Sequence, residues 1–443
     1  MQGPGSDPVI VVGSGPGGLQ VSWSLRRLGV PHAVISADPA PGGMFRRWPH
    51  FQRLLSWTKP HALAEAGSDL YERSDWNSLL SDEPASRALQ PGLMDGGSSF
   101  PTRAEMEANI VAFADRARLD VDYDCTWLST SLVDAADGTR FVLQTTLGVY
   151  RCAILVVAAG VAEPWMPTMP GMELVRHYGQ VQPAAAYAGK RVFIIGKQNS
   201  GFELATGLLP TASKLVLASP SGTTLSVVTR TLVGVRARYL QPYEDAVLGG
   251  GVTILDAAID RVVPTANGAR TVHVQRTDRD GALAVEVDEV IAATGFTAPL
   301  RDLPELGCAV TGQSRLPVQT PWWESASLPG LYFAGTITQG SRGLRRHGVP
   351  SNSGAVHGAR YNARVLAGHI ARSRFGLDPA RPVMSGATAI EHISQELTES
   401  PVLFHQRGYL ARVLSADGSG GLRDDGIQPL AHALDTGADD SWL

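Results

Sequence analysis

The sequence predicts an α/β fold in which one nucleotide-binding β-α-β domain is inserted into another of the same kind. Three observations carry this: a strand, glycine turn and helix at the start, a repeat of that succession near residue 191, and two crossings that bracket the repeat. At 443 residues the chain exceeds what one core ordinarily supports, so two interlocked domains are the natural expectation.

Residues 8–13 (PVIVVG) are an apolar, β-branched run ending in glycine, and Val21, Leu25 and Leu28 then recur at helical spacing up to Gly29. Residues 32–36 (HAVIS) supply the next strand and complete one β-α-β unit. Thr102 and Glu105 form a capping box ahead of a helix over 103–117, and alternating stretches after it predict a small antiparallel element. The strand at 154–158 (ILVVA) leads into Pro164, Pro167 and Pro170, which resist helix and mark the first crossing. Residues 191–196 then repeat strand and glycine; Phe202, Ala205, Leu208 and Leu209 mark a helix face, and 214–218 (KLVLA) the next strand. The second crossing follows VIAATGF, near Pro299. After it LPGLYFAGT reads as a strand into a glycine turn, followed by a helix over 353–371. The expected division is 1–165 and 291–375 as the two parts of the first domain, 166–290 as the insertion, and 376–443 as an appendage. That appendage has one helix near 388–414 and a weakly patterned end containing ADGSGG.

The 44% apolar content, 18% charged content and net charge of −4 give no broad basic face, which argues against nucleic acid as a partner. The longest apolar run, Cys152 to Ala162, is far short of a membrane span, and MQGPGSDP lacks an export pattern, so no membrane association and a cytoplasmic location are expected. Cys125, Cys152 and Cys308 are too few and too far apart for a disulfide framework, a zinc site or a C-x-x-C pair, and no metal is expected.

Two motifs carry chemistry. In Gly13-Ser14-Gly15-Pro16-Gly17-Gly18, Gly13 permits the tight turn, Gly15 lets backbone approach a diphosphate, and Gly18 lets helix and strand pack closely; the helix start offers unpaired N–H groups. In Gly196-Lys197-Gln198-Asn199-Ser200-Gly201 the outer glycines remain, but Gln198 stands at the closest-approach position, where Asn199 and Ser200 supply polar contacts in compensation. Nicotinamide binding is the expectation there, against a relic kept for packing. The fold expected is thus a Rossmann-like dinucleotide-binding domain with an inserted, second Rossmann-like domain, an FAD-binding and an NAD(P)-binding domain respectively by the resemblance that follows.

The chain resembles the class B flavin-dependent monooxygenases, the flavin-containing and N-hydroxylating enzymes, over about residues 8–371. The matching residues are the first glycine motif, Gly42-Gly43-Met44-Phe45 with Trp48, Phe100-Pro101-Thr102-Arg103, Val157-Ala158-Ala159-Gly160, Asn199-Ser200-Gly201-Phe202-Glu203, Ala293-Thr294-Gly295-Phe296 and Tyr332-Phe333-Ala334-Gly335. The resemblance implies FAD at the first motif (Gly13, Gly15, Pro16, Gly18), with Gly43, Met44, Trp48 and Gly335 along the flavin and Trp127 flanking the adenine. It implies NADPH at Gly196, Asn199, Ser200 and Gly201. Hydride would pass from NADPH to the flavin, and the reduced flavin would bind oxygen as a peroxide and deliver one atom to a substrate.

The departures carry information too. The acid that ordinarily holds the adenosine ribose is Ser36, with Asp38 two residues on, and the late aspartate is replaced by Thr336. Because a charge-assisted hydrogen bond is worth about 1.5–3 kcal/mol and a neutral one about 1, FAD is expected to be held loosely. Ser56-Trp57-Thr58-Lys59 matches the S-x-x-K of N-hydroxylating members, which makes Lys59 the catalytic candidate against a solvated surface lysine. The Baeyer-Villiger signature is not met around His177. No arginine directly follows the 214–218 strand; Arg230 and Arg236 are candidates for the 2′-phosphate, or else solvated. His347 and His357 flank the late helix start around Gly354, which either faces the flavin ring or is capped by Ser351 or Ser353.

The expected function is FAD- and NADPH-dependent oxygenation of a small molecule with O2, N-hydroxylation slightly preferred; self-association stays open. The alternatives are a flavin-dependent reductase or dehydrogenase without oxygen transfer, and a non-enzymatic assembly protein on a flavoprotein fold.

Overall fold

Two compact units share the chain. One comprises Met1–Arg46, Ser56–Ala162 and Ala298–Leu443; the other comprises Arg47–Leu55 and Glu163–Thr297. The computed structural model describes residues 4–48, 53–223, 251–340, 352–378, 380–418, 420–436 and 441–442.

In the first unit the apolar runs read from the sequence become a four-stranded parallel sheet, in the order Leu331–Phe333, Ile154–Val157, Val9–Val12, Ala33–Ile35. Every residue of these strands is buried, as expected where both faces of a parallel sheet are covered. The helix Pro16–Arg27 packs against the helix Val356–Phe375, which ends at Gly376 in the left-handed region, φ 66°. The other sheet face meets a three-stranded antiparallel sheet, Trp127–Leu132, Phe141–Thr145 and Gly148–Cys152; Ile10, Ile35, Leu155, Phe333, Phe141 and Tyr150 share that core. The helix Arg103–Arg116 begins with the expected box, Thr102 accepting from the Glu105 N–H and Glu105 accepting from the Thr102 N–H.

The C-terminal region corrects the sequence reading. The helix expected over 388–414 stops at Glu399, because Pro401 cannot continue it; a short helix Pro401–His405 follows, capped by Ser400. Leu410–Ala416 and Leu422–Pro429 then pair as an antiparallel hairpin. The ADGSGG stretch lies between these two strands.

The second unit holds a seven-stranded sheet, in the order Ala282–Val287, Arg270–Arg276, Val252–Pro264, Lys214–Ser219, Arg191–Ile195, Glu289–Ala292, Arg176–His177. The 13-residue strand Val252–Pro264 joins the parallel and antiparallel parts of this sheet: its start runs parallel to Lys214–Ser219, and its remainder pairs antiparallel with Arg270–Arg276. Glu163–Pro164 and Phe296–Thr297, the two proline-flanked crossings, pair antiparallel.

An ion cluster ties the start of one central strand to its neighbour. Arg191 reaches Asp288 at 2.7 Å and Glu286 at 3.2 Å, and the Arg191 N–H also donates to Asp288. These bonds hold the Asp288 carboxyl down to about 2. A folded-state pKa below the unfolded one stabilises the fold above the unfolded value, about 3.9, and that share is lost as pH falls toward 2. Asp288→Asn is therefore expected to lower the urea midpoint at pH 6, by a modest amount because the pair is partly solvated, with the difference from the parent shrinking between pH 4 and pH 3. A difference that stays constant across that range would contradict the assignment.

Candidate functional site

The first glycine motif is a place where three backbones meet without side chains between them. Gly13 sits at φ 117°, and a Cβ there would stand 2.7 Å from the Ala158 carbonyl oxygen. A Cβ on Gly18 would overlap the Gly13 carbonyl oxygen, so helix and strand touch through main chain. Gly17 lies against Gly335, a Cβ on it being 2.5 Å from the Gly335 Cα, and a Cβ on Gly43 would be 2.8 Å from the Gly15 Cα. The Gly42 N–H donates to the Ser14 carbonyl at 3.1 Å, which fixes the 42–43 turn beside the motif.

Gly15 is the N-cap of the helix Pro16–Arg27; no side chain caps it and no acid lies in the first turn. Pro16 has no N–H, and the Gly17 and Gly18 N–H groups precede the first helical bond, Leu19 N–H to Gly15 O. By contrast, Thr102 and Ser385 cap their helices through side chains. An uncapped helix start lined by glycine fits a diphosphate. Nearby, a Cβ on Gly160 would sit 3.4 Å from Thr336 Oγ1 and 3.7 Å from Met44 Sδ, so two residues expected along the flavin converge on one point.

Ser36, at the ribose position, is buried; its hydroxyl shares a 2.8 Å hydrogen bond with the Ser14 hydroxyl and accepts from the Asp38 N–H. Trp127, expected beside the adenine, is buried in the core with its indole N–H donated to Thr130. Gly354 lies against Gln339. The late helix starts after Ala355 without a side-chain cap; Ser353 accepts instead from Asn362 and Gln406, so capping by Ser353 is not what occurs. His357 turns into an aromatic cluster with Trp76 and His405, and burial brings its pKa down to about 3. Ser351 and His347 lie outside the described residues.

The second motif repeats this geometry in the other unit. Gly196 sits at φ 113° with the space for its Cβ taken by the Ala293 carbonyl, and a Cβ on Gly201 would overlap the Gly196 carbonyl. The Gly196 N–H donates to Ala218 O as the Gly13 N–H donates to Ile35 O. The helix Asn199–Leu208 has an uncapped start at Gln198, whose extended backbone (φ −108°) suits any residue. Gln198 thus adds a side chain to the cradle but no strain; Gln198 and Asn199 are exposed and Ser200 half-buried.

Lys197, which the sequence reading passed over, is fully buried and ion-paired with Asp256. The only sequence signal was a lysine in a turn otherwise made of small and neutral residues. Lys59 is exposed, its ammonium 4.9 Å over the Trp57 ring, and nothing brings it to the glycine cradle. Trp48 belongs to the second unit, where it meets Phe296 edge-on at 5.1 Å and lies against Gly179. Arg230 and Arg236 fall outside the described residues. The His177 ring donates through Nε2 to Gly295 O and accepts through Nδ1 from the Gly179 N–H.

The two kinds of glycine at the first motif are expected to separate cleanly on substitution. Gly15→Ala has room, its Cβ meeting nothing nearer than 3.7 Å, so the apoprotein keeps its melting temperature while FAD absorbance after gel filtration falls. Gly18→Ala forces helix from strand and lowers the melting temperature of the apoprotein itself. Equal melting losses in both variants would contradict this.

Among known proteins, the chain is similar to the FAD-dependent oxidoreductase domain-containing protein 2 of Mus musculus, 29% identical over 384 residues, covering 80% of this chain and 56% of that protein. The chain therefore spans little more than half the length of that relative. It is also similar to the indole-3-pyruvate monooxygenase YUCCA4 of Oryza sativa subsp. japonica, 29% identical over 217 residues, covering 45% of this chain and 44% of that one. In fold it matches the bacillithiol disulfide reductase of Staphylococcus aureus with a TM-score of 0.64, at 16% identity, over 83% of this chain and 99% of that one. Among the described residues no helix is long and apolar enough to cross a membrane. Residues 10–335 match the pyridine nucleotide-disulphide oxidoreductase family. FAD and NADPH, the cofactors expected from the sequence, are those of this FAD-binding group and its NADP-linked relatives. With both cradles inside the matched span, the chain belongs to the pyridine nucleotide-disulphide oxidoreductase family.

Proposed function

We propose that this chain is an FAD- and NADPH-dependent monooxygenase of a small molecule, with N-hydroxylation of an amine the preferred reaction. The observation that carries the reading is the state of its cysteines. Cys125, Cys152 and Cys308 are all unpaired, buried and set in one apolar core, and burial pushes the Cys152 and Cys308 thiols up. No thiol pair stands ready to take electrons, so the acceptor comes from outside. The rice relative is named as a monooxygenase, which supports oxygen as that acceptor.

When bound, FAD supplies hydride acceptance from the nicotinamide and the activation of O2. The chain contributes the rest. The uncapped start of Pro16–Arg27 and the main-chain contacts of Gly13, Gly17 and Gly18 hold the diphosphate, and Met44 and Thr336 flank the segment at Gly160. Serine in place of the ribose-binding acid offers a neutral hydrogen bond at that position, and the Ser36 hydroxyl is already shared with Ser14.

A specific observation favours the second reading, a reductase without oxygen transfer: Lys59, the residue on which amine hydroxylation leaned, is exposed and stacked on Trp57. The two readings separate in one experiment. Oxygen uptake with NADPH and a panel of amines and sulfides is followed together with product by mass spectrometry. The monooxygenase reading expects uptake matched by an oxygenated product for at least one substrate; hydrogen peroxide alone across the panel leaves the reductase. Anaerobic NADPH is expected to bleach the flavin, and to do so unchanged in Cys152→Ala and Cys308→Ala. Loss of NADPH consumption in those variants would return the chain to disulfide chemistry.

A further inference from the structure

The two motifs can be compared position by position, because their strand registers match. Val12 pairs with Ile35 and Ile195 with Ala218, and the Gly13 and Gly196 N–H groups donate to Ile35 and Ala218. Ser14 therefore corresponds to Lys197, and Ser36 to Ser219. In the first motif the second-position side chain turns toward the end of the neighbouring strand, as the Ser14–Ser36 hydrogen bond shows. That strand end is where a Rossmann-type domain holds the adenosine ribose. In the second motif the same direction is taken by an ammonium. Lys197 reaches past Ser219 to Asp256, the strand partner of Ser219.

We infer that Lys197 binds the 2′-phosphate of the nicotinamide coenzyme and that Asp256 holds its place when no coenzyme is bound, the pair together reading the ribose substituent; this rests on the second cradle being the coenzyme site. Three features support it. The lysine side chain has no exposure at all while the Asp256 side chain is 38% exposed, so the carboxylate is the outer member of the pair and gives way only to another anion that takes its place on the ammonium. A phosphate dianion offers the ammonium more charge and more acceptor oxygens than a carboxylate does, whereas a neutral 2′-hydroxyl cannot displace the carboxylate. Among the described residues the neighbouring charges are paired: Arg276 is ion-paired with Asp278, while the Thr277 N–H donates to Asp256 O and the Thr277 hydroxyl to Pro220 O, fastening this edge to the loop after Ser219. Gly222 lies against the Asp256 carboxylate, where a Cβ would be 3.7 Å from Oδ2, so the carboxylate faces the loop at a glycine.

Calorimetric titration of the holoprotein with 2′,5′-ADP and with 5′-AMP tests this without turnover. Lys197→Met is expected to weaken 2′,5′-ADP about tenfold or more and leave 5′-AMP unchanged. Lys197→Arg keeps most of the affinity, and Asp256→Asn, which removes the competing charge, tightens 2′,5′-ADP. An unchanged ratio of the two ligands in Lys197→Met overturns the inference. So does weakened 5′-AMP with unaltered 2′,5′-ADP in Asp256→Asn, since the carboxylate would then read the ribose hydroxyls. If wild-type protein binds neither nucleotide nor NADP⁺, the coenzyme reading of the cradle fails first and takes this inference with it.

Discussion

Contact between main chain and main chain at the start of each nucleotide helix sets the rest of the architecture. In both units a glycine at the sixth motif position lies on the carbonyl of the first, Gly18 on Gly13 and Gly201 on Gly196, with no space for a methyl group. That contact fixes the height of the helix above its sheet and aims its first N–H groups away from the strand ends. The carbonyls beneath Gly13 and Gly196 come from Ala158 and Ala293, each one residue beyond a neighbouring strand. The order of the central strands and the position of the helix start are therefore one constraint. Side chains could not impose it, because rotamers can relax and a main-chain overlap cannot.

This explains what was legible in the sequence. Glycine spacing, apolar runs ending in glycine and the Thr102–Glu105 box are local signals with local causes, and the elements they predict are where they were expected. Partners distant in the chain were invisible. Gly335 meets Gly17 and Gly43 meets Gly15, contacts whose necessity appears only when the backbones are brought together. Lys197 gave no periodic signal, and its partner Asp256 sits on another strand. The C-terminal misreading had a different cause: Ile390, Ile393 and Leu397 continue a helical pattern, but Pro401 and a hairpin with β-compatible residues at 410–416 override it.

The two cradles share geometry and differ in electrostatics. At the first, two serine hydroxyls bonded to each other stand at the strand end. At the second it is charged, a buried ammonium beneath a partly exposed carboxylate. Desolvation drives the Lys197 pKa down, so the ammonium depends on an anion beside it. The group that provides that anion governs whether the site is stable when vacant, which makes the carboxylate a structural requirement of the free protein as well as a competitor for ligand.

Cysteine placement then separates this chain from the chemistry that names its family. A redox pair needs two sulfurs within bonding reach and a thiolate stabilised by nearby positive charge. Cys125 and Cys152 lie in the core with Tyr150 and the central sheet, burial disfavours the thiolate of Cys152, and Cys308 is held near the Ser325 hydroxyl, also buried. Such cysteines serve packing. Both dinucleotide cradles are kept, each built within its own unit, while the three cysteines are spent on the interior of one apolar core.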